Sequence, residues 1–181
     1  MSSFAENEAR EDFNRARMHE VFSSIFHVLS REKQQLLSLD EVKEAVRPRG
    51  ETYRGMRTVT IDKIVGSEGR YRDFSKGFLP KHERLRGRWT SVDRAHLQDV
   101  ILPPIKLYEI GGVYFVRDGN HRVSVAKAQG VMAIDAEVTS LDSEVELSTD
   151  LTRDSLRQTV LEHERNAFHE RTLFHKLVPN H

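Results

Sequence analysis

The chain contains no cysteine, which excludes disulfides, thiolate catalysis and Cys-ligated metal together. It also lacks net charge: 28 Lys and Arg stand against 28 Asp and Glu, so no bulk charge advertises a nucleic-acid or membrane partner. No apolar run approaches the length of a membrane span, and the opening residues, MSSFAENEAREDF, have no apolar signal core. A cytoplasmic protein without membrane contact is therefore expected. Apolar residues make up 38% of the 181, enough for one core of ordinary size with appended elements.

The charges that do cancel overall are unevenly placed. Arg47 to Arg94 holds 13 Lys or Arg against 6 Asp or Glu, whereas Ala133 to Arg157 holds 7 acidic residues against Arg153 and Arg157. Such a dipole fits simple solvation or self-association, and it also fits a basic face for an anion. The nine histidines do not make a metal site. No HExxH occurs, and His163, His169 and His175, six residues apart, do not share one helix face.

Along the chain, Ala5 to Leu29 reads as a helix with Met18, Phe22, Ile25, Phe26 and Leu29 on one face. A second helix starts at Ser38, with Ser38 and Glu41 as a capping box, Leu39, Val42 and Val46 inward, and Pro48 as its stop. Val59 and Ile61 alternate with polar residues as in a strand that closes at Ile64-Val65. The segment 66–74 reads as loop and 74–89 as a basic and aromatic loop region with room for a turn of helix, after which Ser91 caps a short helix to about Val100. Ile105 to Val116 is a hairpin turned by Gly111-Gly112, followed by a helix from about Asn120 to Gln129 and a strand from Val131 to Val138. A last helix runs from about Asp150 or Ser155 to Leu177, with Leu156, Val160, Leu161 and Phe168 as its apolar contacts. The expected class is α+β, divided into an N-terminal helical extension (1–50), a mixed domain (51–142) and a C-terminal helical segment (143–181). The outer helices offer a route to a homodimer.

One short run carries chemistry. Between the second hairpin strand and the next helix stands Asp118-Gly119-Asn120-His121-Arg122. The first-turn amides of a helix have no intrahelical partners and carry the positive end of its dipole, so such a place receives phosphate. Gly119 permits a close approach and a positive φ, Arg122 offers a planar fork of donors, and His121 can exchange a proton near neutrality. A helix terminus alone is worth roughly 0.3–1 kcal/mol, against roughly 8 kcal/mol for micromolar affinity. Further donors are needed, and Arg70 and Arg72 of the neighbouring GSEGRYRDF loop are the natural ones. On spacing alone the run equally fits a plain turn, with Asn120 as N-cap and Arg122 on the surface.

The stretch PPIKLYEIGGVYFVRDGNHRVSVAKAQGVMAIDAEVTSL resembles the ParB/sulfiredoxin superfamily, over about Arg57 to Leu141. Whole-length likeness is to bacterial ParB-like proteins with a GSxGRYxDF loop ahead of DGNHR. In the sulfiredoxin branch the position of Asn120 is a catalytic cysteine, which this chain lacks. In the ParB branch the segment is Gly-Glu-Arg-Arg and binds CTP; Gly119 and Arg122 match, and Asn120 and His121 depart. No helix-turn-helix domain of the ParB kind follows. In the ADP-dependent free serine kinase branch the motif is Asp-Gly-His-His-Arg, which Asp118, Gly119, His121 and Arg122 match. A loop Glu is the base there, and Glu68 stands in a comparable place, with Asp73 as the other candidate.

The resemblance thus implies a nucleotide (ATP, ADP or CTP) held with Mg²⁺. Hydrolysis or phosphoryl transfer would use Glu68, Asp118 and His121, and Gly119, Asn120, His121, Arg122, Arg70 and Arg72 would hold phosphate. No residue set is assigned to a metal of its own. The alternative is a DNA-associated regulator without catalysis, contacting DNA through the Arg47–Arg94 block.

Overall fold

The computed structural model describes residues 2–26 and 35–177. Helix α1 (Ser2–Phe26) is followed by β1 (Leu37–Ser38), α2 (Leu39–Val46), β2 (Glu51–Thr60), a 3₁₀ turn (Ile61–Lys63) and β3 (Ile64–Ser67). After a long loop, a second 3₁₀ turn (Glu83–Leu85) runs directly into α3 (Arg86–Leu97). Then come β4 (Ile105–Ile110), β5 (Val113–Asp118), α4 (Asn120–Ala128), β6 (Ala133–Leu141) and α5 (Arg153–Leu177). The α+β class read from the sequence is the one the chain adopts.

All six strands form one mixed sheet in the order β1-β3-β5-β4-β6-β2. β3 runs parallel to β1 and β5, β4 parallel to β6, while the β4/β5 hairpin and the β2/β6 pair are antiparallel. Alternation along each strand divides the apolar residues between two faces. Leu107 and Val116 join Phe13, Trp89 and Val123 in one core, whereas Tyr108 and Phe115 join Leu39, Val42 and Leu156 in the other. Helices α1, α3 and α4 therefore cover one face, and α2 with the start of α5 covers the other. Each fully buried large apolar side chain stabilises by roughly 1.5–3 kcal/mol relative to exposure. The N-terminal segment shares both cores, since Phe13 and Leu36 lie in the first and Leu37 and Leu39 in the second.

Several local expectations need correction. The buried stripe of α1 is Ala5, Ala9, Phe13 and Ala16, while Met18 and Phe22 are exposed. Small residues let α1 lie close on α3, with the Phe13 ring edge-on to Trp89 at 5.6 Å, so bulk misled the choice of face. The side chains of Ile25 and Phe26, and Leu29 entirely, lie outside the described residues. Ser38 precedes α2, yet makes no capping hydrogen bond; Glu41 turns instead to Arg153 of α5, which donates to both its oxygens at 2.8 Å. The strand expected around Val59 is two strands separated by the Ile61–Lys63 turn, and β2 begins at Glu51. Ser91 lies inside α3 rather than at its start, because helix already begins within the segment read as loop. β6 starts at Ala133 and runs to Leu141. On α5, Leu156 is buried but Leu161 and Phe168 are exposed.

Candidate functional site

The hairpin turn behaves as its glycines require: Gly111 and Gly112 take φ of 59° and 91°, joining β4 to β5 through two residues. Strand β5 then delivers Asp118 and Gly119 to the start of α4. Gly119 has φ of 107°, and a Cβ there would stand 2.4 Å from Ile105 Cγ2, so both conformation and space demand glycine. No side chain caps α4, and its first intrahelical bond runs from the Val123 amide to the Gly119 carbonyl at 3.0 Å. The amides of the preceding turn have no acceptor within the helix.

These residues form one wall of a cleft of about 770 Å³. It lies beyond the carboxyl ends of the parallel neighbours β3 and β5, the customary place for ligands in open sheets with parallel strands. Gly69 and Arg70 come from the loop after β3, Arg84 and Arg88 from the 3₁₀ turn and first turn of α3, and Leu102 and Pro103 from the approach to β4. Arg117, Asp118, Gly119, Asn120, His121 and Arg122 line the opposite side, and Leu85 and Val92 add apolar surface. Five arginines thus converge where α4 presents the positive end of its dipole.

Their partners differ. Asp73, buried in the loop floor, accepts from Arg70 at 3.1 Å through one oxygen and from Arg84 through the other. Arg122 donates to Asp118 at 2.6 Å and to the carbonyls of Pro103 and Pro104, the latter at 3.0 Å. That guanidinium, only 17% exposed, ties the strand entry to the helix start. Arg88 makes no ion pair or hydrogen bond among the described residues. Arg117 is engaged only over the Tyr108 ring, at 5.4 Å. Both project exposed guanidiniums whose donors are open to a ligand.

Two polar groups in the lining lack partners in the protein. Asn120 is 7% exposed and its Oδ1 receives no hydrogen bond; the Nδ1 of His121 is likewise buried and unpaired. Burial pushes the His121 imidazole down to about 4, and the nearby Arg70 and Arg88 charges push the same way. The ring is therefore neutral at physiological pH, edge-on to Phe74 at 5.4 Å. A base that weak removes a proton poorly near neutrality.

The structure brings together six of the residues singled out in the sequence: Arg70, Asp118, Gly119, Asn120, His121 and Arg122. Glu68 and Arg72 do not line the cleft. The Glu68 amide bonds to the Val116 carbonyl at 2.9 Å, and its carboxylate bears on the Tyr108 phenol, which belongs to the core on the other face. Arg72 is exposed, its guanidinium 5.4 Å from the Tyr71 ring centroid. Sequence reasoning missed Arg84, Arg88 and Arg117. The first two stand four residues apart, a spacing that helical structure brings together, but the reading of 74–89 as loop with at most a turn of helix made no use of it.

A Mg²⁺ held by the protein does not fit this donor set. Asp118 lines the cleft and Asp73 underlies it, and both are bound to guanidiniums. No group of three or more His, Asp or Glu among the described residues could hold a metal. No described helix is long and apolar enough to cross a membrane.

No family model matches the chain, and no curated protein matches it. Among solved structures, a sulfiredoxin from Arabidopsis thaliana is similar over 46% of this chain and 82% of its own, at 17% identity and a TM-score of 0.35.

Proposed function

We propose that this protein binds a polyphosphate-bearing small molecule, a nucleotide above all, in the arginine cleft at the start of α4. The observation that carries the reading is the convergence of Arg70, Arg84, Arg88, Arg117 and Arg122 on one helix N-terminus behind a glycine with no room for a side chain. Charge-assisted hydrogen bonds contribute roughly 1.5–3 kcal/mol each. Two from the unengaged Arg88 and Arg117, one from Arg70 and the helix end together approach the roughly 8 kcal/mol of micromolar affinity.

The same geometry favours binding over turnover. Glu68 lies off the cleft, Asp118 is tied to Arg122, and His121 is a neutral, weakly basic ring. A ligand-gated change of shape is the function that remains: the phosphate would compete with Asp73 and Asp118 for guanidiniums that now fasten the 67–82 loop and the Pro103-Pro104 entry. Phosphate contact at a pocket accounts for part of the basic block, and other members of it are engaged by carboxylates or amides of the protein. Arg49 pairs with Glu144, Arg86 with Glu83 and Asn14, and only Arg70, Arg84 and Arg88 of the block reach the cleft.

Calorimetric titration with ATP, ADP and CTP at low ionic strength tests the reading. Micromolar binding of at least one, weakening as salt rises, is expected. Absence of heat and of thermal stabilisation with all three would end it.

A further inference from the structure

We infer that the cleft takes its polyanion free of divalent metal, with guanidiniums in the place a cation would otherwise hold. This rests on the phosphate-binding reading above and adds the charge state of the ligand. The first ground is that the acids are spoken for. Both oxygens of Asp73 accept from arginines, one from Arg70 and the other from Arg84, and Asp118 accepts from Arg122. A divalent ion seated on either would have to displace a guanidinium. At Asp118 it would also undo the tie through which Arg122 holds the Pro103 and Pro104 carbonyls.

Electrostatic balance is the second ground. Five guanidiniums face or flank the cleft against the two carboxylates of Asp73 and Asp118, and His121 adds no positive charge at neutral pH. The site is left with a surplus of positive charge, most of it on Arg88 and Arg117, which have no carboxylate partner among the described residues. A nucleoside triphosphate carries about four negative charges when free and about two as its Mg²⁺ complex. Five guanidiniums less two carboxylates leave three positive charges, to which the α4 N-terminus adds roughly half a charge. The free form lies nearer that sum, and a bound Mg²⁺ would stand among guanidiniums that repel it.

The third observation is an unmet need for hydrogen-bond partners that can be served without a metal. The buried Oδ1 of Asn120 and Nδ1 of His121 lack partners, so the ligand or a water it brings must satisfy them. A nucleotide's hydroxyl groups or an ordered water have that capacity. A phosphate group at the α4 amides leaves its other oxygens for Arg88 and Arg117, the arrangement in which guanidinium forks substitute for metal contacts.

The test is paired calorimetry of the full chain with ATP, first in EDTA and then in excess Mg²⁺ at matched ionic strength, with inorganic tripolyphosphate as a second probe. Binding about tenfold or more tighter in EDTA is expected, for both probes, because Mg²⁺ held by the polyphosphate cancels charge that the arginines would otherwise meet. Binding that is equal or tighter with Mg²⁺, or that disappears in EDTA, overturns the inference while leaving the phosphate-binding reading intact. No binding under either condition overturns both. Mn²⁺ gives an independent readout: its electron paramagnetic resonance signal in a mixture with protein and ATP should be that of Mn²⁺-ATP in solution. A new, broadened protein-bound signal would contradict the inference.

Discussion

Asp73 and Asp93 are buried aspartates twenty residues apart, on the same side of the sheet, and their surroundings are opposite. Asp73 sits beneath the cleft with an arginine on each oxygen. Asp93, on α3, is wholly buried and has no cation bound to it: Gln129 donates to its Oδ1 at 2.7 Å, the same amide donates to Asp12 of α1 at 2.9 Å, and its Oδ2 has no partner. Burial pushes the Asp93 carboxyl up to about 6; the Gln129 hydrogen bond works against this and the Asp12 charge adds to it. One acid organises a loop around arginines, and the other is a charge that the α1–α3–α4 junction would be better without near neutrality. Burial of an acid is offset by arginines at the first position and not at the second. At the cleft, acids hold guanidiniums in place; at the junction, an acid bridges helices.

The larger test of that contrast is Asp73→Asn. With the anchor gone, Arg70 and Arg84 lose their shared partner, and the loop over 67–82 loosens. A loss of about 1–3 kcal/mol is expected in urea unfolding, the upper end tempered because both arginines are half-exposed or more and regain water. Unchanged stability would break the comparison on its cleft side.

Asp93→Asn should move the other way by less. A carboxyl whose folded pKa is raised contributes stability fully below its ordinary value of 3.8, and that contribution is lost as pH rises through about 6. The amide cannot ionise, so the variant should match the parent near pH 4 and exceed it increasingly by pH 7, by about 1–2 kcal/mol once water penetration is allowed for. A melting-temperature gap that stays flat or shrinks between those pH values would show that Asp93 is not the strained partner.

Local features of the site were legible because local physics dictates them. Gly111-Gly112 between apolar alternations marked a tight turn, and Gly119 before Asn120 marked the helix start at the position observed, while β5 runs on to Asp118, past the Val116 to Arg117 end that was read. The arginine constellation was only half legible. Helix α3 has Leu85 rather than a polar N-cap residue, begins through a 3₁₀ turn and carries Gly87, so the usual start signals were missing and Arg84 and Arg88 went unassigned. The end of β2 around Val59 was read, but its start at Glu51 was hidden because only Val59 in the strand is buried, leaving no alternation before it. The pairing of β1 with β3 and of β2 with β6 joins residues remote in sequence, which composition and spacing do not encode.

Arg88 and Arg117 are the decisive residues, because each is exposed at the cleft and neither has a carboxylate partner among the described residues. Titration of tripolyphosphate into the parent and into the Arg88→Ala/Arg117→Ala double variant, with melting curves to confirm that both fold, bears most directly on the whole account. The expected result is micromolar binding by the parent and a loss of about 100-fold or more in the variant, from two charge-assisted contacts removed at once. Equal affinity in two equally folded proteins would mean that the anion binds elsewhere, and the cleft would lose its assigned role.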